Sequence, residues 1–145
     1  MSYQIREMTI DDYEDIIKMF RETPGISVRE ADSRDATRVY LQRNPGLSFV
    51  AVADARIVGC VMSGHDGRRG YLQHLVVKPE YRKQGIGVGL FTACLDALQK
   101  IGIYKTHIFV LKTNETGNNF WRNQGWFLRD EINMYSYNRS ENTNA

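Results

Sequence analysis

The stretch Val76–Phe91 reads VVKPEYRKQGIGVGLF and changes character twice within sixteen residues. An apolar segment gives way to a proline and a charged group, and three glycines then precede a second apolar segment. Glycine at this density favours a loop whose backbone approaches another group closely, because no side chain intervenes. If the loop also opens a helix, the helix dipole adds partial positive charge where Arg82 and Lys83 already stand. The pattern indicates an anion-binding loop; the alternative is a glycine-rich turn that merely reverses the chain.

Composition places the chain among ordinary globular domains. It has 145 residues, of which 42% are hydrophobic and 25% are charged, with a net charge of +2. We expect one domain over residues 1–139 and a flexible polar tail over residues 140–145. Cys60 and Cys94 lie in apolar surroundings, which favours reduced core cysteines in a cytoplasmic protein. No ligand spacing suggests a metal, and no apolar run approaches the ~20 residues of a membrane span.

Hydrophobic periodicity and turn signals predict a mixed α/β (α+β) domain. A strand is followed by two helices, the first opened by a capping box at Thr9 and Asp12 and the second capped by Asp32 or Ser33. A hairpin, a further strand, a buried helix, a strand, a helix and a final strand pair or hairpin come next. The second helix is predicted to run from its cap to about Arg43, and the other predicted ranges are 3–8, 10–20, 47–53, 57–63, 71–77, 87–101, 105–111, 115–123 and 126–137.

The strand at 71–77 has an irregular apolar pattern. Leu72 and Leu75 are separated by an odd step, so Leu72, Leu75 and Val77 cannot all share one face of a regular strand. Either both faces are buried, or a bulge lies near Gln73–His74. A bulge would splay the strand from its neighbour and leave backbone groups unpaired.

The glycine loop departs from two familiar phosphate loops. It lacks the Gly-Lys-Ser/Thr of a Walker loop, and Lys78–Gln84 separates it from its strand, unlike a dinucleotide fingerprint. The segment LVVKPEYRKQGIG resembles the acetyl-coenzyme A pyrophosphate loop of the GNAT superfamily N-acetyltransferases. A second segment, Asn114–Trp126, is similar to the family pattern that follows the fifth strand. The resemblance implies a central mixed, mostly antiparallel sheet of six to seven strands, with helices on both faces and a splay between the fourth and fifth strands.

The resemblance also implies a set of residues that bind acetyl-coenzyme A. Strand residues would pair with the pantetheine arm, the loop would hold the pyrophosphate, and the second segment would touch the cofactor arm. These residues are Leu75, Val76, Val77, Arg82, Lys83, Gln84, Gly85, Ile86, Gly87, Val88, Asn114, Asn118, Phe120 and Trp121.

The chain departs from the family pattern where proton transfer is concerned. Trp121 stands where relatives often have a tyrosine that protonates the thiolate, and an indole N–H is not an acid near neutral pH. Gln73 and His74 stand where many relatives have a carboxylate. Histidine titrates near neutral pH, so we predict His74 as the general base, with Gln73 as a further candidate. Glu30, Asp32 and Asp35 would rim the acceptor site.

The resemblance implies an N-acetyltransferase that passes an acetyl group to a primary amine by direct transfer in a ternary complex. The alternative is a non-catalytic acyl-coenzyme A sensor or interaction module. The expected partner is a small-molecule or peptide amine, without nucleic acid or membrane, and the protein would be a monomer or homodimer.

Overall fold

A mixed five-stranded sheet forms the centre of the first part of the chain in the computed structural model, which describes residues 2–145, and its fourth strand carries the predicted residues 73–77. The strands lie side by side in chain order; the first four pair antiparallel, and the fifth runs parallel to the fourth. The sheet belongs to a unit of the chain that ends at Ile108, and a second unit begins at Phe109. The strands are β1 (Gln4–Glu7), β2 (Phe49–Ala53), β3 (Arg56–His65), β4 (Gly70–Val77) and β5 (Thr106–Ile108).

The helices lie close to their predicted ranges, although the predicted start of the first one, Ile10–Asp12, forms a short 3-10 turn. They are α1 (Tyr13–Glu22), α2 (Arg34–Arg43), α3 (Ile86–Lys100) and, in the second unit, α4 (Glu115–Asn123). The N–H of Thr9 donates to the Asp12 carboxylate at 2.9 Å ahead of α1, as the capping-box prediction requires. Of the two caps considered for α2, Ser33 is the one found, since its hydroxyl accepts from the N–H of Ala36.

Helices cover both faces of the sheet. Met19 and Phe20 of α1 share one buried cluster with Cys60 of β3. A side chain at the preceding residue, Gly59, would instead meet Leu90 of α3 at 3.2 Å. Because neighbouring residues of a strand point to opposite faces, α1 and α3 lie on opposite sides of β3. This confirms the predicted layers.

The prediction of six to seven strands is wrong, since five are found within residues 2–145. The strands expected over 126–137 do not form, and the expected strand at 105–111 is limited to Thr106–Ile108. The aromatic and β-branched pattern gives 126–137 strand propensity, but a strand also needs a neighbouring strand in a sheet, and residues 126–137 are not part of the five-stranded sheet. Its exposed large apolar residues are Phe127, Leu128, Ile132, Met134, Tyr135 and Tyr137.

Candidate functional site

The N-terminus of α3 lacks the side-chain cap that α2 and α4 carry. Its N-cap residue is Gly85, with φ +82°, and no side chain accepts a hydrogen bond from the first turn. In contrast, α2 and α4 are capped by the side chains of Ser33 and Asn114. The first bond of α3 runs from Gly89 N to Gly85 O at 2.9 Å, so the N–H groups of residues 86–88 have no acceptor within the helix. This terminus can receive an anion on three backbone donors.

The three glycines of the loop have different physical reasons. Gly85 adopts the left-handed conformation, which glycine accepts without strain. A side chain at Gly89 would meet Ile5 at 2.9 Å, so Gly89 permits β1 to pack against α3. Gly87 lies in the first turn of α3, where its φ is not positive. Gly87 is therefore the glycine whose missing side chain would serve the close approach of a ligand. Gly85 and Gly89 are explained by the turn and by helix–strand packing.

The loop is anchored by a network that sequence reasoning missed. The Tyr81 hydroxyl, itself buried, donates to Asp54 Oδ2 at 2.8 Å and accepts from Arg56 Nη2 at 2.9 Å. Asp54 and Ala55 form the β2–β3 turn and both have positive φ, as a two-residue hairpin turn requires, and Arg56 is the first residue of β3. The turn was predicted, but nothing in the local sequence links it to Tyr81. The network fixes the chain just before Arg82.

The bulge considered for β4 is present at His74. Cys60 pairs with Val76 and Met62 pairs with Gln73, so β4 contains one more residue than β3 between the two pairs. His74 has φ +53°, a conformation unusual for a residue with a side chain. β5 pairs with β4 only at residues 70–72. Within residues 2–145 the rest of β4 therefore has no paired strand on that side, and the splay itself stays a prediction.

Leu75 and Val77 lie on this unpaired part of β4 and are half-buried, whereas Val76 is buried in the α1 cluster. Burial of Leu72, Leu75 and Val77 on both faces of the strand, which was the alternative to a bulge, is therefore not found. The carbonyl of Val77 accepts a hydrogen bond from Arg82 Nε at 3.0 Å. The unpaired edge and the loop are thus joined directly through the predicted cofactor residues.

His74 is paired with a carboxylate from a distant part of the chain. Its Nε2 lies 2.9 Å from Asp32 Oδ1, and its ring stacks on Phe20 with centroids 4.4 Å apart. The N–H of Arg29 donates to Asp32 Oδ2 at 2.8 Å, and Tyr13 donates its hydroxyl to the Asp32 carbonyl at 2.7 Å. Burial alone would raise the pKa of the Asp32 carboxyl, but the hydrogen bonds from His74 and Arg29 lower it. Asp32 is therefore held ionised against the imidazole.

The three predicted rim carboxylates do not converge on one point. Asp32 faces His74, whereas Asp35 is exposed and pairs with Arg38 of its own helix at 2.8 Å. Glu30 lies in the short turn before α2 and is exposed. Gln73 is exposed beside the bulge, and its amide cannot take up a proton.

The remaining predicted residues lie in the second unit and have structural partners there. Asn114 Oδ1 caps α4 by accepting from Gly117 N at 2.9 Å. Asn118 Nδ2 donates to the carbonyls of Leu111 and Asn114. Trp121 is buried, with its ring centroid 5.1 Å from that of Phe120 and 4.6 Å from that of Trp126. Their contacts with a cofactor stay a prediction.

The two cysteines are poorly suited to covalent catalysis. Cys60 and Cys94 are free and buried, and burial raises the pKa of both thiols, that of Cys94 to about 12. A buried thiol of high pKa is a poor nucleophile. Within residues 2–145, no three histidine, cysteine, aspartate or glutamate side chains are grouped to hold a metal ion, and no helix has the length and apolar character to cross a bilayer.

Comparison with known proteins identifies the family. Residues 6–126 match the model of the acetyltransferase (GNAT) family, a range that contains the loop, the bulge and α4. The chain belongs to the GNAT family of acetyltransferases. It is similar to an acetyltransferase of Pectobacterium atrosepticum, with 32% identity over 112 residues that cover 77% of this chain and 79% of the relative. An acetyltransferase of Sodalis glossinidius shares 27% identity over 129 residues, covering 89% and 90%.

A solved GNAT relative has the same fold. The PaiA N-acetyltransferase of Thermoplasma acidophilum superposes with a TM-score of 0.75 and 26% sequence identity, covering 86% of this chain and 89% of that one. That protein was solved in complex with coenzyme A. The family assignment agrees with the resemblance drawn from the loop and from Asn114–Trp126.

Proposed function

We propose that the protein transfers an acetyl group from acetyl-coenzyme A to a primary amine by direct attack in a ternary complex. The observation that carries the proposal is the uncapped, glycine-opened N-terminus of α3 beside the unpaired edge of β4. Three free N–H groups, with Arg82 and Lys83 just before them, suit a pyrophosphate. The free edge suits the amides of a pantetheine arm, which would add to β4 as another strand does. The thioester supplies the acetyl group.

The protein's own residues supply positioning and proton transfer. The loop and the edge of β4 orient the cofactor, so that the amine meets the carbonyl carbon near Gln73 and His74. An ammonium acceptor loses two protons as the C–N bond forms and the C–S bond breaks. His74 takes the first, and the departing thiolate takes the second to become the thiol. No tyrosine is needed for that last step, since a thiolate of pKa about 8.5 is a tolerable leaving group.

A second function is favoured by one observation. Trp121, at the position of the family tyrosine, is buried among aromatic rings and offers no acid. A chain that kept the cofactor site and lost turnover would act as an acyl-coenzyme A sensor. An acetyltransferase would turn over acetyl-coenzyme A in the presence of a suitable amine, whereas a sensor would not.

The deciding experiment measures release of free thiol from acetyl-coenzyme A across a panel of small amines, aminoglycosides, amino acids and peptide N-termini. Calorimetry with coenzyme A runs in parallel. We expect binding together with release that depends on one acceptor class. Binding without release for any acceptor would support the sensor, and absence of binding would refute both functions.

A further inference from the structure

We propose that Asp32 is a positioning residue that holds His74 in the tautomer with its proton on Nε2, leaving Nδ1 as the basic atom. The inference rests on the proposed function, in which His74 accepts a proton from the amine. It reassigns Asp32 from the acceptor rim, where the sequence placed it, to the histidine. It also names the nitrogen that must face the amine.

The hydrogen bonds of the Asp32 carboxylate decide the tautomer. Its Oδ2 accepts from the backbone N–H of Arg29 at 2.8 Å, and its Oδ1 lies 2.9 Å from His74 Nε2. A carboxylate only accepts, so the neutral imidazole must carry its proton on Nε2 to form this bond. Nδ1 then keeps its lone pair. A base that takes its proton at Nδ1 becomes an imidazolium stabilised by the same carboxylate.

The surroundings hold this arrangement in place from several elements. Phe20 of α1 stacks on the ring, and Tyr13 of α1 fixes the Asp32 carbonyl. The positive charge of Arg29 lies close enough to Asp32 to help lower the pKa of its carboxyl. From β3, the Cys60 thiol lies 3.7 Å from the His74 carbonyl. Only 20% of the His74 side chain and 12% of the Asp32 side chain are exposed, so water competes weakly for their bond.

This geometry makes Asp32→Asn an informative substitution. The amide has one accepting and one donating end, whereas both partners of Asp32 donate. The Arg29 N–H cannot change its role, so the amide oxygen turns to Arg29 and the NH₂ group meets His74 Nε2. That nitrogen must then accept, which moves the imidazole proton to Nδ1 and removes the base. The size of the side chain and the short turn at Glu30–Asp32 are retained.

The first test reads the tautomer without any acetyl transfer. Nitrogen-15 NMR of histidine-labelled protein distinguishes the two ring nitrogens, and His74→Asn assigns the signal. We expect the neutral wild-type ring to be protonated on Nε2 and the ring of Asp32→Asn on Nδ1. A wild-type ring protonated on Nδ1 overturns the proposal, and so does a folded Asp32→Asn with an unchanged ring. This reading stands even if no amine is a substrate, in which case only the proposed function fails.

The second test compares rates against a matched variant. Asp15→Asn removes the same charge, but Asp15 is an exposed residue of α1 to which no role in binding or catalysis is assigned. We expect Asp32→Asn to lower kcat/KM by about 10²-fold or more with unchanged coenzyme A affinity, because a general base is lost. Asp15→Asn should stay near wild type. Equal rates in the two folded variants would show that Asp32 does not act through His74.

Discussion

Gly85 allows the charge of the bound group to be tested with two side chains of equal size. It stands at the N-cap of α3 with φ +82°, and a Cβ there would meet only the Tyr3 hydroxyl at 3.9 Å. Asparagine and aspartate are the side chains that best tolerate this conformation, at a cost of about 1 kcal/mol. Both Gly85→Asn and Gly85→Asp should therefore fold. They differ by one negative charge at the proposed pyrophosphate site.

The structure predicts opposite orders of stability and binding for this pair. Without ligand, Gly85→Asp should be the more stable by about 0.3–1 kcal/mol, because its carboxylate lies at the positive end of α3. With coenzyme A, the carboxylate would oppose a phosphate charge. Two unit charges 4 Å apart repel by about 1 kcal/mol in water and about 4 kcal/mol near a protein surface. Since Gly85 is exposed, we expect about a tenfold weaker affinity for Gly85→Asp than for Gly85→Asn.

Two measurements check that the more stable variant is the one that binds coenzyme A more weakly. Urea unfolding gives the free energies of unfolding, and calorimetry with coenzyme A at low and high salt gives the affinities. The difference in affinity should shrink at high salt because exposed charges are screened. Affinities within a factor of two at low salt would show that no phosphate lies near Gly85, and the assignment of the loop would fall.

Three further outcomes follow from other parts of the chain. Burial alone would raise the pKa of Asp12, but Arg6 and the N–H of Thr9 lower it. The ionised Asp12 therefore stabilises the fold above the usual carboxyl pKa of about 3.9, and this stabilisation is lost as pH falls. In urea, Asp12→Asn should lose about 2 kcal/mol at pH 7, with the gap to wild type closing towards pH 3. His74→Gly should exceed His74→Ala in stability by about 1 kcal/mol, because only alanine is strained at φ +53°; equal denaturation midpoints would contradict this. Trp121→Phe should keep most of the turnover and abolish the fluorescence change on cofactor binding; a hundredfold loss in a folded variant that binds normally would give the indole a chemical role.

Local signals predicted the elements that they determine. The Asn44-Pro-Gly46 sequence ends α2, and Ser33 begins it, because caps and breakers act within a few residues. The strands expected at 126–137 failed for the opposite reason, since propensity is local whereas strand pairing depends on a partner elsewhere. The bulge stayed undecided in the sequence because alternation alone cannot separate it from burial on both faces. The register of β4 against β3 decided it.

The site combines features that the sequence could and could not predict. The glycine loop could be predicted from the sequence because an anion reaches the backbone N–H groups at a helix start only where small residues lie close together. The pairing of His74 with Asp32 spans 42 positions and depends on the short turn before α2 reaching β4. A carboxylate among exposed acidic neighbours gives no sign of such a partner, which is why Asp32 was first grouped with Glu30 and Asp35.

In the proposed mechanism, the extra residue in β4 links cofactor binding to proton transfer. Pairing with β5 stops at Leu72, just before the bulge, which leaves the edge that a pantetheine arm could use. The same insertion puts His74 in the left-handed conformation, where its ring meets Phe20 and Asp32. In a regular strand, side chains would alternate between the two faces through this position, and the register of β4 against β3 would not shift. The inserted residue thus orients the imidazole next to the free backbone of β4, and the strain at His74 is the cost of placing them side by side.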